Sequence, residues 1–310
     1  LAMESSVKSG KPIDKRAIDN VAQEIQHEVD TKDARRVYDS PSKGVLWGWE
    51  VPAYVWTKAA ATGTFLMMHF WNIFNNGISK STEFQGLMIT IFFMILTGGF
   101  LIKDLDRPDR FLYVLLRPQW KSWLVKGAYI ITVFGGIVGL KILDNIFSLN
   151  LHWLWYPGSL FSIFGAIYTA FLFNQARARD FWQTPIQSAV HMQIHAIMAG
   201  GVAMIFIQPG SIMVMSQILF IGIILNLLII FKEINFYHDT TDTKKAVALI
   251  TKGYYSKYFW IGVLIGNLVP LFLLIFFTES LLMPACLLVL IGIFLTEFVR
   301  IRIPQMIPLS

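Results

Sequence analysis

The chain of 310 residues contains one cysteine, Cys286, and it falls in the middle of an apolar run. No disulfide, no cysteine zinc site and no iron–sulfur cluster can therefore be assembled from this chain alone. Charge is also scarce: Asp, Glu, Lys and Arg make up 15% of the residues against 55% apolar ones, with ten Trp and a mean hydropathy of +0.55. That leaves too little polar surface for a soluble domain of this length. The net charge of +6 then belongs to loops that face lipid and partners, and nucleic-acid binding is not expected. No cleavable signal peptide is recognised, and because residue 1 is Leu the true start is expected to lie upstream.

What the chain does have is eight apolar stretches, at 52–74, 85–102, 124–143, 157–174, 190–207, 211–231, 258–277 and 281–299. Each is close to the ~20 residues a helix needs to cross hydrocarbon. The expected fold is thus an all-α integral membrane protein with eight transmembrane helices arranged as two four-helix bundles, 45–180 and 181–310. Residues 1–44, polar and mixed in charge, read as a tail or linker. Of the 26 lysines and arginines, only Lys58, Lys80, Lys126 and Lys141 lie outside the segments that an even number of crossings puts on one face. Both termini and the 103–123 loop share that face, and Lys80 lies opposite. The positive-inside rule makes the charged face cytoplasmic, in a bacterial or archaeal inner membrane. Small residues four apart, Ala59 with Gly63 and Gly135 with Gly139, suit close helix packing.

Function has to come from polar groups placed where they are costly. On the first stretch Tyr54, Lys58, Thr62 and His69 keep within about an 80° sector at 100° per residue. Lys58 can be a snorkelling lysine and His69 a core histidine bonded to a neighbouring helix. Asp104 ends the second stretch, where the negative end of the helix dipole disfavours an anion unless cations such as Arg107 or Lys58 compensate, so it can take a proton readily. The following segment pairs Arg107, Arg110, Arg117 and Lys121 with aromatics suited to the headgroup level. Tyr168 lies six residues before the end of the fourth stretch, a depth that matches that of Lys58. His191 and His195 share a face of the fifth, where haem ligation competes with bonds across helices or a water-filled path.

The run Asp104-Leu-Asp-Arg-Pro-Asp-Arg-Phe111, followed by Leu116-Arg-Pro-Gln-Trp-Lys-Ser-Trp123, resembles the signature of the NrfD-like membrane subunits of polysulfide reductase and related complexes. That signature is written D-L-G-R-P and then R-P-x-x-K-S-W. Trp47-Gly-Trp-Glu50, Tyr168-Thr-Ala-Phe-Leu-Phe, Phe259-Trp-Ile-Gly262 and the ending Gln305-Met-Ile-Pro-Leu-Ser310 extend the resemblance over about residues 45–310. Here Asp106 stands where the family commonly has Gly. The resemblance implies a haem-free subunit that binds quinone, menaquinone or ubiquinone, and docks a ferredoxin-like iron–sulfur subunit attached to a molybdopterin-type catalytic subunit. It sets Lys58 where the polysulfide reductase subunit has a histidine and matches Tyr168 to a quinone-contacting tyrosine. A lysine can bond a quinone oxygen but is a poorer proton shuttle than imidazole near neutral pH.

The expected quinone site is Tyr54, Lys58, Asp104, Arg107 and Tyr168, with proton transfer through Asp104, Thr62 and His69. Partner docking falls to Arg107, Arg110, Arg117 and Lys121, and no metal is expected. Two rivals stay open: a proton or solute transporter using the same polar stripe without redox chemistry, and a b-type cytochrome anchor built on His191 and His195. The first is disfavoured by the absence of broken, Gly- or Pro-interrupted spans in matching halves.

Overall fold

The computed structural model describes residues 47–105, 111–176, 179–236 and 240–307. The expected tail, 1–44, lies outside them, as do Arg107, Arg110 and Asp106. All regular structure among the described residues is helical. The helices are α1 (Glu50–Phe74), α2 (Lys80–Lys103), the short α3 (Phe111–Leu116), α4 (Trp123–Phe147), α5 (Trp155–Asn174), α6 (Pro185–Ile207), α7 (Ile212–Asn235), α8 (Thr241–Lys252), α9 (Ser256–Val263), α10 (Val269–Phe276) and α11 (Thr278–Arg302). A five-residue π-turn, Leu264–Leu268, joins α9 to α10, so those two make one span. Seven of the described segments are long and apolar enough to cross a membrane. Exposed on them are Phe92, Ile95, Leu140, Ile146, Leu228 and Ile275, large apolar side chains in a number that belongs against hydrocarbon, not water.

The first expected stretch, 52–74, also forms one helix of 25 residues, but it is more polar than the seven, and its position explains why. α1 packs on α2, α5, α6 and α11, and every residue from Val51 to Phe65 except Trp56 is buried. A helix enclosed by other helices has little contact with lipid and can carry hydroxyls and a lysine that an outer helix cannot. Thr57 bonds Thr97 of α2 at 2.9 Å, and Trp56 Nε1 donates to the Leu290 carbonyl of α11 at 2.9 Å.

The closest crossing is α1 on α6, where a Cβ on Gly63 or Gly200 would run into the opposite backbone. α1 of the first half therefore lies directly against α6 of the second, and residues 45–307 cluster as one unit. The expected small-residue contact at Gly135 and Gly139 is looser: Gly135 meets only the end of Met94, and Gly139 has open space. Instead Gly266 of the π-turn meets Gly292 of α11 backbone to backbone, beside the carbonyl of Gly262 four residues earlier.

The connections fix which helix ends lie together. On one side Trp47 and Gln305 exchange two hydrogen bonds, 2.9 and 3.1 Å, Lys103 pairs with Glu50 at 3.3 Å, and Trp123 N–H donates to Gln175 at 2.8 Å. Arg179 donates to the carbonyls of Pro304 and Ile307 there. On the other side Lys80 bonds Ser148 at 2.6 Å and Thr82 bonds Gln208 at 2.7 Å. The 47, 103, 123, 175, 179 and 305 ends thus share one face, with 80, 148 and 208 opposite.

Candidate functional site

Lys58 lies eight residues into α1, about 12 Å below the Glu50–Lys103 pair at ~1.5 Å per residue. Its side chain is 1% exposed. Nζ donates to Thr169 Oγ1 on α5 and sits 4.3 Å from the centroid of the Tyr168 ring, a cation–π contact strengthened by the dry surroundings. Tyr54, one turn nearer the charged face, is bonded to Thr169 and lies within electrostatic range of Asp104 and Tyr168. Tyr168 keeps its place because Gly127 of α4 leaves the room: a Cβ there would overlap the ring.

The equal depth expected of Lys58 and Tyr168 is thus contact. Asp104 caps the C-terminus of α2 and is partly exposed. The rest of the expected stripe does not run on from Lys58. Thr62 turns its hydroxyl back to the Lys58 carbonyl at 2.8 Å. His69, eleven residues further along α1, bonds Ser159 at 2.6 Å and stacks on Trp155. In the charged-face loop Arg117 and Lys121 are exposed, with Arg117 against the Tyr113 ring.

A second buried polar cluster joins α6, α7, the π-turn and α11. Asn226 Oδ1 accepts from His191 Nε2 at 2.6 Å and faces His195 Nε2 at 3.1 Å, while Asn226 Nδ2 donates to Asn267 Oδ1 at 2.7 Å. His195 Nδ1 stands 2.9 Å from Glu297. Arg300 donates to His191 Nδ1 and pairs with Glu233 at 2.7 Å. Both histidine rings are on one helix, 4.2 Å apart, with their Nε2 atoms on the same amide, so they do not flank a common space from opposite sides as axial haem ligands must. Glu297, Arg300, Asn226 and Asn267 were not singled out from the sequence. The signal was present for one of them: Glu297 is the only charged residue in the 281–299 stretch, and an intramembrane carboxylate marks a functional site by default.

Comparison with known proteins agrees with the signature read from the sequence. Residues 39–308 match the family described as polysulphide reductase, NrfD. No curated protein matches the chain. The family match spans most of the chain, which therefore belongs to the NrfD family of membrane subunits of oxidoreductase complexes.

Proposed function

We propose that this member of the NrfD family is an eight-span quinone/quinol-binding subunit that passes electrons between a quinone and a partner's iron–sulfur cluster. The observation that carries this reading is the Lys58 ammonium, held by one hydroxyl and one aromatic ring of α5 just inside the charged face. A quinone, when bound, supplies the two-electron chemistry. The chain's own residues supply the rest. Lys58 Nζ has three protons and one hydroxyl partner, so it has donors to offer a carbonyl oxygen, and a charged donor makes the stronger bond. Tyr54 and Tyr168 line the same place with hydroxyls and apolar ring faces, which suits a ligand with a weakly polar head and a hydrocarbon tail. Asp104 at the rim holds or releases protons at the helix end.

Because the chain's single cysteine cannot hold a cluster, the electrons come from or go to another subunit. The exposed Arg117 and Lys121, with Arg107 and Arg110 in the same loop, are the proposed docking surface for a ferredoxin-like iron–sulfur subunit and through it a molybdopterin-type partner. The charged face is then the side that carries the partner, cytoplasmic by the cation bias.

Steady-state kinetics of the assembled complex test the reading. Tyr168→Phe and Lys58→Met are expected to raise the quinol concentration needed for half-maximal rate, while electron transfer from the partner to a soluble dye stays normal. Normal quinol dependence in both variants would place the quinone elsewhere or favour a transporter without redox chemistry.

A further inference from the structure

The second cluster contains a proton that its hydrogen bonds require. Gly262 has a backbone carbonyl, which only accepts; Asn267 Nδ2 donates to it at 3.3 Å. That fixes Asn267 Oδ1 as an acceptor, so Asn226 offers it Nδ2 and turns Oδ1 toward the two histidines. At the other end Arg300, a donor under all conditions, faces His191 Nδ1, so His191 carries its proton on Nε2. The two anchors are independent and demand the same orientation. His195 Nε2 faces the same Asn226 oxygen and must also be protonated. His195 Nδ1 and Glu297 Oε1 then stand 2.9 Å apart, and without one more proton both would be lone-pair acceptors.

We infer that His195 and Glu297 share one exchangeable proton, making this pair a buried proton-binding site. The groups around it fix its charge. Arg300 lies 3.8 Å from Glu297 and is itself neutralised by Glu233, His191 is neutral by its bonds, and Lys58 and Tyr54 of α1 lie within electrostatic range of Glu297. With the proton in place, His195, Glu297, Arg300 and Glu233 sum to zero. When it leaves, one negative charge remains on Glu297.

The pair also has neighbours on both sides that suit exchange. Glu233, behind Arg300, lines a cavity of about 200 Å³ with Asp180, Gln187 and Thr240, at the loops of the charged face. Toward α1, His195 and Glu297 line a smaller space of about 10 Å³ with Val55, Ala59 and Ala166, close to the room one water takes. His191, His195 and Glu297 bring ligand-type atoms within 4.8 Å of one another. Those atoms are committed to Asn226 and to a cationic arginine, which favours a proton over a metal ion.

The site stands on its own hydrogen bonds; its service to a quinone rests on the function proposed above. Infrared difference spectra of the assembled complex, taken across pH with 13C-glutamate and 15N-histidine incorporated, test it without any turnover. The expected signal is a protonated carboxyl or imidazolium band that responds to both labels. Glu297→Gln should abolish it while keeping the network, since the new amide can donate to His195 Nδ1; Glu233→Gln should retain it. The unmodified protein is measured first, so a variant that fails to assemble does not remove the test. Absence of the band at every pH, or its persistence in Glu297→Gln, overturns the shared proton. Normal quinol dependence in Lys58→Met and Tyr168→Phe alongside an intact band would remove the quinone site and leave the proton pair standing.

Discussion

Lys58 and Lys141 are buried to the same degree, 1% and 0% exposed, yet their surroundings differ in kind. Lys141 of α4 is held by Glu83 at 2.7 Å and Asp144 at 2.9 Å, and Asp144 is in turn fixed by the Leu151 N–H at 3.0 Å. Its ammonium lies 4.8 Å from the Trp155 ring. Lys58 has a hydroxyl and an aromatic ring in contact, with Glu297 acting on it from further away. A buried charge matched on two sides by carboxylates is a structural tie between α2 and α4 near the uncharged face. A buried charge whose counter-charge stands off keeps donors available to something that arrives. Burial alone does not separate the two; the distance of the compensating charge does.

That contrast predicts different failures. Lys141→Met leaves Glu83 and Asp144 without their cation, and breaking a buried ion pair from one side costs about 3–5 kcal/mol; the expected result is little or no assembled subunit in detergent extracts, with no variant-specific change in quinol kinetics to measure. Asp104→Asn removes a proton acceptor at the rim and should slow quinol turnover by about a hundredfold while the complex still assembles, which stopped-flow reduction rates would show. Lys58→Met should behave in the opposite way to Lys141→Met, assembling normally and raising the quinol requirement about tenfold, the value of one charge-assisted hydrogen bond. Tyr168→Phe is expected to give a smaller rise of the same sign, since a neutral hydroxyl is worth about 0.5–1.5 kcal/mol. Smallest at low salt is Arg117→Glu, an exposed position. It should release the iron–sulfur subunit only as ionic strength rises and screens the remaining cations, and an intact complex at all salt concentrations would assign the loop to lipid instead.

The helices were legible in the sequence because apolar runs of spanning length have few other uses, and the Lys58–Tyr168 contact was legible because two helices entering from one face put equal residue counts at equal depth. The details that seat the site were not. Thr169 and Gly127 are ordinary helix residues until α4 and α5 are packed, and Thr62, on the right face of α1, spends its hydroxyl on its own helix. Tyr54, Lys58, Thr62 and His69 fall in one sector of α1, with eleven residues of helix from Lys58 to His69. The His195–Glu297 cluster was legible only in part: His191 and His195 share a face of α6 and Glu297 is the one charge of its stretch, but their partners lie on α7 and the π-turn, which only packing brings to them. Asn267 interrupts its apolar stretch, but hydropathy does not show that it lies in a π-turn or that it meets Asn226.

On the proposed function Lys58 is a ligand-facing charge and Lys141 a structural one. Equilibrium binding of a quinone analogue to the purified, assembled complex carrying Lys58→Met, measured beside its thermal unfolding midpoint, tests that claim most directly. About tenfold weaker binding with an unchanged midpoint is expected. Unchanged binding, or binding lost only in step with a lowered midpoint, would contradict it and make Lys58 a second structural lysine.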